Sequence, residues 1–306
     1  MVGIVSKATG KYYDVIVGDT IYRCSLRGKF RNLSIKSTNP IVVGDKVTIL
    51  SESEKYVITE LHPRKNYIVR KSVNLSKEIH ILGSNIDQAI LIVTLVKPIT
   101  TSAFIDRFLI SANFNSINVI ILFNKYDLLT EQMKLKQDKL QKIYENAGYD
   151  CFVLSVLSDD LSSLKKSMKD KLNIISGHSG VGKSTLINKL QKNLNIPTNN
   201  ISKTHQQGQH TTTFSQLYNL DFGASVVDTP GIKGFGLVDL SPIQISDSFR
   251  EFYRLRDKCR FKNCIHQNEP DCAVKEALYE GVVSKSRYNN YIKMLFDQSN
   301  YRKIDY

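Results

Sequence analysis

The run Gly177-His178-Ser179-Gly180-Val181-Gly182-Lys183-Ser184, followed by Thr185, fits the spacing G-x-x-x-x-G-K-[ST]. Its chemistry follows from residue type. Gly177, Gly180 and Gly182 let the backbone turn so that N–H groups face phosphate oxygens, and the helix that starts there adds a favourable dipole. Lys183 would reach the β- and γ-phosphates, and the Ser184 hydroxyl would sit on Mg2+. A Gly/Ser-rich turn that binds nothing is the plain alternative. A short buried strand over 172–175 and a helix over 185–190 argue against it, because they are the flanks this loop needs.

Asn124-Lys125-Tyr126-Asp127 follows an apolar run at 117–123. An aspartate carboxylate only accepts, so Asp127 can take both the N1–H and the N2–H2 of guanine. Adenine offers neither donor in that geometry. Asn124 would tie the loop together, and the Lys125 stem would cover the base. Ser155-Val156 sits where a backbone N–H can meet guanine O6. Asp228-Thr229-Pro230-Gly231 ends another apolar run; Asp228 would hold the Mg2+ shell and the Gly231 N–H would meet the γ-phosphate. Within Gly208-Gln-His-Thr-Thr-Thr213, Thr212 or Thr213 would close on Mg2+. The expected catalytic set is therefore Lys183, Thr212, Thr213, Asp228 and Gly231, with Mg2+ held by Ser184, Thr213 and Asp228.

The order of these motifs is informative. The guanine motifs at 124 and 155 precede the phosphate loop at 177 and the Asp-Thr-Pro-Gly element at 228. Ras-like proteins have the reverse order, so the domain reads as circularly permuted. Permutation is tolerable because domain termini tend to be close and the site depends on strand-end loops.

Cys259, Cys264, His266 and Cys272 place three thiols and an imidazole within fourteen residues. Three thiolates and one nitrogen make a closed tetrahedral set for one structural Zn2+. Around them stand Arg250, Arg254, Arg256, Lys258, Arg260 and Lys262, which read as a basic knuckle facing nucleic acid.

The elements that must hold these groups fall into three stretches. Residues 1–72 carry short β-branched and aromatic runs at 12–17, 21–26, 41–50 and 56–61, separated by turn signals, which suits a five-stranded OB-fold barrel. Arg23, Arg27, Lys29, Arg31 and Lys36 would give it a nucleic-acid face. Residues 73–240 alternate strands and helices, as in a doubly wound α/β domain. Residues 241–306 read as a helical zinc-binding domain.

The 306 residues carry 42 Lys and Arg against 29 Asp and Glu, a net charge of +13, which favours a polyanionic partner. An odd count of five cysteines does not look like a secreted disulfide framework, and no signal-peptide core stands at the start. The longest apolar run, 89–96, is too short to span a bilayer. A cytoplasmic, monomeric protein without a membrane partner is the expectation.

Taken together, the permuted order, Gly177-His-Ser-Gly-Val-Gly-Lys-Ser-Thr185, the threonine triplet after Gly-Gln-His, and Cys264-Ile-His-Gln-Asn-Glu-Pro-Asp-Cys-Ala-Val274 resemble the RsgA (YjeQ/YloQ) family. The resemblance covers nearly the whole chain. It implies a GTPase that binds the small (30S) ribosomal subunit and its 16S rRNA late in assembly, is stimulated by the subunit, and leaves after hydrolysing GTP to GDP. Ile232 stands where Ras has its water-orienting glutamine, which predicts slow hydrolysis by the isolated protein. His205 and His210 are the nearest switch-region imidazoles. A rigid nucleic-acid-binding module stabilised by nucleotide, and an ATP-dependent enzyme, are the competing classes; the second leaves Asn124–Asp127 without a role.

Overall fold

The computed structural model describes residues 1–27, 40–52, 55–71, 79–191, 194, 196, 215–229 and 240–301. Thr212, Thr213, Gly231, Ile232, His205, His210, Lys29, Arg31 and Lys36 lie outside them.

Five strands near the N-terminus close on themselves: β1 (Val2–Ala8), β2 (Tyr13–Val17), β3 (Thr20–Leu26), β4 (Lys46–Glu52) and β5 (Lys55–Leu61). β1 pairs with β2, β2 with β3, β4 with β5 and β1 with β4, all antiparallel, while β3 and β5 run parallel. This is the expected OB barrel. Alternate residues such as Val5, Val15, Cys24, Val47, Ile49 and Ile58 fill its interior. The expected strand at 41–50 starts only at Lys46. Gly44, at φ +92°, turns the chain there and the wholly buried Asp45 faces inward.

A hairpin of β6 (Tyr67–Lys71) and β7 (Ile79–Ser84) leads into the α/β domain. Its elements are β8 (Gln88–Val93), α1 (Ser102–Phe114), β9 (Asn118–Phe123), α2 (Glu131–Asn146), β10 (Asp150–Val153), α3 (Ser162–Met168), β11 (Leu172–Ser176), α4 (Lys183–Leu190), β12 (Gln216–Asn219) and β13 (Ser225–Asp228). The sheet order is β10-β9-β8-β11-β13-β12. The first five strands are parallel and β12 is antiparallel. One face packs on α1 and α2 through Phe104, Phe108, Leu109 and Tyr144; the other packs on α3 and α4 through Leu164, Met168, Leu186 and Ile187. β1 of the barrel also pairs with edge strand β12, Lys7 opposite Gln216.

The C-terminal part is helical: α5 (Pro242–Asp247), α6 (Arg250–Leu255), α7 (Ala273–Tyr279) and α8 (Lys285–Tyr301). Its core of Ile245, Phe249, Phe252, Val274 and Tyr291 includes Ile110 of α1. Among the described residues no helix is long and apolar enough to cross a membrane.

Candidate functional site: a nucleotide cradle and a Cys/His centre

Because β9, β10, β11 and β13 are parallel, the segments that follow them emerge at one edge of the sheet, where ligands of such folds bind. Asn124 follows β9, Ser155 comes two residues after β10, Gly177 follows β11, and Asp228 is the last residue of β13. Motifs scattered over a hundred residues are thus brought together.

The phosphate loop has the backbone its glycines allow. Gly177, Gly180 and Gly182 have φ of 147°, 83° and 106°. Two of them are also needed for close approach. A Cβ on Gly177 would stand 2.7 Å from the Ile92 carbonyl oxygen, and one on Gly182 would stand 2.6 Å from Asn124 Nδ2. Gly182 caps α4, so the first-turn N–H groups of Lys183, Ser184 and Thr185 point out of the helix start. Lys183 is buried, and its ammonium donates to the carbonyls of Gly177 (3.2 Å) and His178 (2.9 Å). Burial lowers its pKa to about 8, with the nearby Asp228 carboxylate opposing.

Asn124 binds the site together. Its Nδ2 donates to the Val181 carbonyl of the phosphate loop (2.8 Å), and its Oδ1 accepts from the Val156 N–H (3.0 Å). Lys125 has left-handed backbone, φ 65°, and its ammonium reaches the carbonyls of Gly180 (2.8 Å) and Lys97 (2.7 Å). Its stem therefore spans from the base motif to the phosphate loop, and burial lowers its pKa against the pull of Asp127. Asp127 and Ser155 bond twice: the Asp127 N–H donates to Ser155 Oγ (2.9 Å), and that hydroxyl donates to Asp127 Oδ1. Tyr126 lies in the single helical turn that carries Asp127, under the Lys134 ammonium. Ser179 and Ser184 are half-buried in and just after the loop.

Further residues of this edge were given no role by the sequence. Asp159 accepts from the Ser155 N–H (2.7 Å) and shapes the base loop. Thr229, fully buried, donates to the Ile175 carbonyl (2.8 Å) and fixes the end of β13 beside β11. Phe104, in the first turn of α1, lies against the His178 ring with centroids 4.0 Å apart. Asp159 has a faint sequence signal, a carboxylate four residues past Ser155; Phe104 is indistinguishable from core in the sequence.

At the second site, His266 Nδ1 lies 3.7, 3.3 and 3.3 Å from the sulfurs of Cys259, Cys264 and Cys272, and the four donor atoms lie within 4.8 Å of one another. Those separations are the edges of a small tetrahedron, so the set could hold one metal ion. Glu269 shapes the loop by accepting from the N–H groups of Ile265 (2.8 Å), Gln267 (2.7 Å) and Asn268 (3.0 Å). Burial works against its charge, but these donors outweigh it and hold the carboxyl below its usual range. From α8, Tyr288 and Tyr291 donate to the carbonyls of His266 and Ile265.

The knuckle is less free than expected. Arg250 donates to the Gly148 carbonyl (2.6 Å) and to Asn118 Oδ1 (3.0 Å), and Arg254 to the Ala147 carbonyl. Arg256 pairs with Asp247 at 2.6 Å. The first two clamp the helical part to the α/β domain rather than standing as an open cationic face.

Fold and site together define a circularly permuted P-loop GTPase between an OB barrel and a helical part bearing a Cys/His cluster. The chain belongs to the RsgA GTPase family. Residues 61–238 match the family description RsgA GTPase, and residues 2–57 match the RsgA N-terminal domain. A Flavobacterium johnsoniae protein named small ribosomal subunit biogenesis GTPase RsgA is 51% identical over 310 residues, covering 99% of this chain and 95% of its own. A Porphyromonas gingivalis protein of the same name is 44% identical, with 98% of each chain covered. Among solved structures, YjeQ from Thermotoga maritima superposes with a TM-score of 0.76 at 34% identity, covering 97% of each chain. YloQ, described as a circularly permuted GTPase, gives 0.74 at 28% identity, over 100% of this chain and 96% of its own.

Proposed function

We propose that the chain hydrolyses GTP on the small ribosomal subunit late in its assembly, with the subunit stimulating hydrolysis and hydrolysis releasing the protein. The observation that carries the chemistry is Asn124, which bonds at once to the phosphate loop (Val181) and to the base loop (Val156). A plain phosphate site has no use for that tie; a guanine-nucleotide site needs it. The relatives' names supply the subunit.

In this function Asn124, Lys125, Tyr126, Asp127, Ser155 and Val156 hold the base. Residues 177–185 hold the phosphates, with Lys183 on the β- and γ-phosphates. Ser184, Thr213 and Asp228 hold Mg2+, and Thr212 and Gly231 close on the γ-phosphate side. Cys259, Cys264, His266 and Cys272 hold one structural Zn2+, which suits a cytoplasmic setting where thiols stay reduced. Residues 1–72, 73–240 and 241–306 act as RNA-binding barrel, GTPase and zinc-binding units of a monomer. The barrel stretch holds thirteen Lys and Arg against six Asp and Glu, which favours 16S rRNA as its partner.

The test is GTP turnover alone, with purified small subunits, and with large subunits as control. Slow basal turnover, stimulated by small subunits only, is expected from Ile232 in place of a water-orienting side chain. Tight GTP binding with no stimulation would instead favour a binding module that uses nucleotide as a structural ligand.

A further inference from the structure

One helix touches both the phosphate loop and the C-terminal domain. At its start, α1 places the Phe104 ring 4.0 Å from the His178 ring, at 33° between planes. On another face, at helical spacing, Ser102, Asp106 and Ile110 meet the C-terminal domain. Asp106, fully buried, accepts from Arg287 and, at 2.6 Å, from Asn290, both on α8; Asn290 also reaches Ser102 Oγ at 3.2 Å. Arg287 is held by both oxygens of Glu251 on α6. Ile110 belongs to the C-terminal core itself.

Buried, doubly bonded charges allow few arrangements, because each unpaired group carries a large penalty. A shift of α8 therefore pulls on Asp106, against the anchor of the Tyr144 hydroxyl on α2 at 3.0 Å. Two residues along a rigid helical turn, that pull reaches Phe104. We propose that Phe104 is a positioning residue for GTP turnover: its ring fixes His178 and hence the phosphate-loop backbone, and docking of the C-terminal domain on Asp106 sets where that ring stands. The role rests on the nucleotide function proposed above for residues 177–185. It gives the C-terminal domain a route to the nucleotide through α1, in addition to the covalent link through residues 230–239.

The experiment compares full-length, metal-loaded wild type with Phe104→Leu, Phe104→Tyr, Asn290→Ala and the double variant Phe104→Leu/Asn290→Ala. The readouts are GTP Kd, kcat and KM with saturating small subunits, and Tm. Phe104→Leu and Asn290→Ala are each expected to lower kcat about three- to tenfold, the range of a modest coupling between sites. Phe104→Tyr, which keeps the ring, should stay within about twofold, and the double variant should be no worse than the poorer single one. Wild-type turnover by Asn290→Ala, a double loss equal to the product of the single losses, or a Phe104→Tyr as slow as Phe104→Leu would overturn the role. A wild type that neither binds GTP nor responds to small subunits would strike the proposed function itself, before any variant is compared.

Discussion

In the proposed function, base choice turns on Asp127. Its Oδ1 takes the Ser155 hydroxyl, so the carboxylate is oriented before any base arrives. Asp127→Asn replaces one acceptor oxygen by a donor, and guanine's N1–H and N2–H2 then face an amide. GTP affinity should fall by about a hundredfold or more, the usual loss when a built polar contact is left unpaired, and xanthosine triphosphate should bind better than GTP. Equal weakening of both nucleotides in a competition titration would remove Asp127 from the base. Lys183 makes a second residue-scale prediction. Its folded pKa of about 8 lies below the usual lysine range, and burial is the main cause. Below pH 8 both folded and unfolded chains carry the proton, so the folded state bears the full cost of a buried charge. As pH rises from 8 toward 10 the unfolded chain binds more protons, so this contribution favours folding increasingly. Nucleotide binding goes the other way, because the phosphates need the ammonium. GTP Kd should rise about tenfold between pH 7 and pH 9, and a flat profile would show that Lys183 stays charged throughout. These residues were legible in the sequence because their types and spacing match a motif. Glu269 was not, since it serves backbone N–H groups and such partners leave no pattern, and Asp159 left only its spacing from Ser155.

At the scale of elements, the junction between barrel and sheet is built from backbone fit. Asp45 accepts from Arg64 Nε and Nη2, at 2.6 and 2.7 Å, and from Ser84 Oγ at 2.6 Å. Beside it, a Cβ on Gly44 would stand 2.1 Å from the Ser84 carbonyl oxygen, at a φ of +92°. Gly44→Ala should cost about 2–3 kcal/mol of stability through strain and displacement of β7. GTP Kd should stay within about threefold, because no nucleotide group lies at this junction. Urea unfolding and nucleotide titration on the same variant check both halves; a neutral variant would mean that β7 yields freely. Elements were legible where their periodicity is regular. α1 could be read from Phe104, Phe108 and Leu109. β1 could not, because its register shifts between Val5 and Lys7 and spoils the alternation. Nor could the β6–β7 hairpin, whose first strand ends in Arg70-Lys71 and looks like a basic linker. Arg287 carries no local signal of its buried role, because its partners Asp106 and Glu251 are 181 and 36 residues away.

Across the whole molecule, charge and mechanics divide the labour. Residues 1–72 hold thirteen basic and six acidic side chains, while residues 73–306 hold 29 and 23, so the excess positive charge concentrates in the first quarter of the chain. Two of the knuckle arginines that composition assigned to nucleic acid, Arg250 and Arg254, are instead spent on holding the helical part to the α/β domain. The barrel is joined to the GTPase sheet through β1 and β12, so a polyanion held by the barrel is held in register with the nucleotide edge. Binding to the small subunit should therefore weaken with salt mainly through barrel residues. Arg23 is well exposed, and its pairing with Asp14 at 3.3 Å is loose enough to leave it available to a phosphate. Arg23→Ala should weaken subunit binding and lower the slope of log K against log[salt] by roughly 0.7 to 0.9, the value for one phosphate contact. GTP Kd should not change. Sedimentation binding between 50 and 300 mM KCl would show it. A variant whose affinity falls by the same factor at every salt concentration would mean that Arg23 supports the barrel's shape instead of neutralising a phosphate.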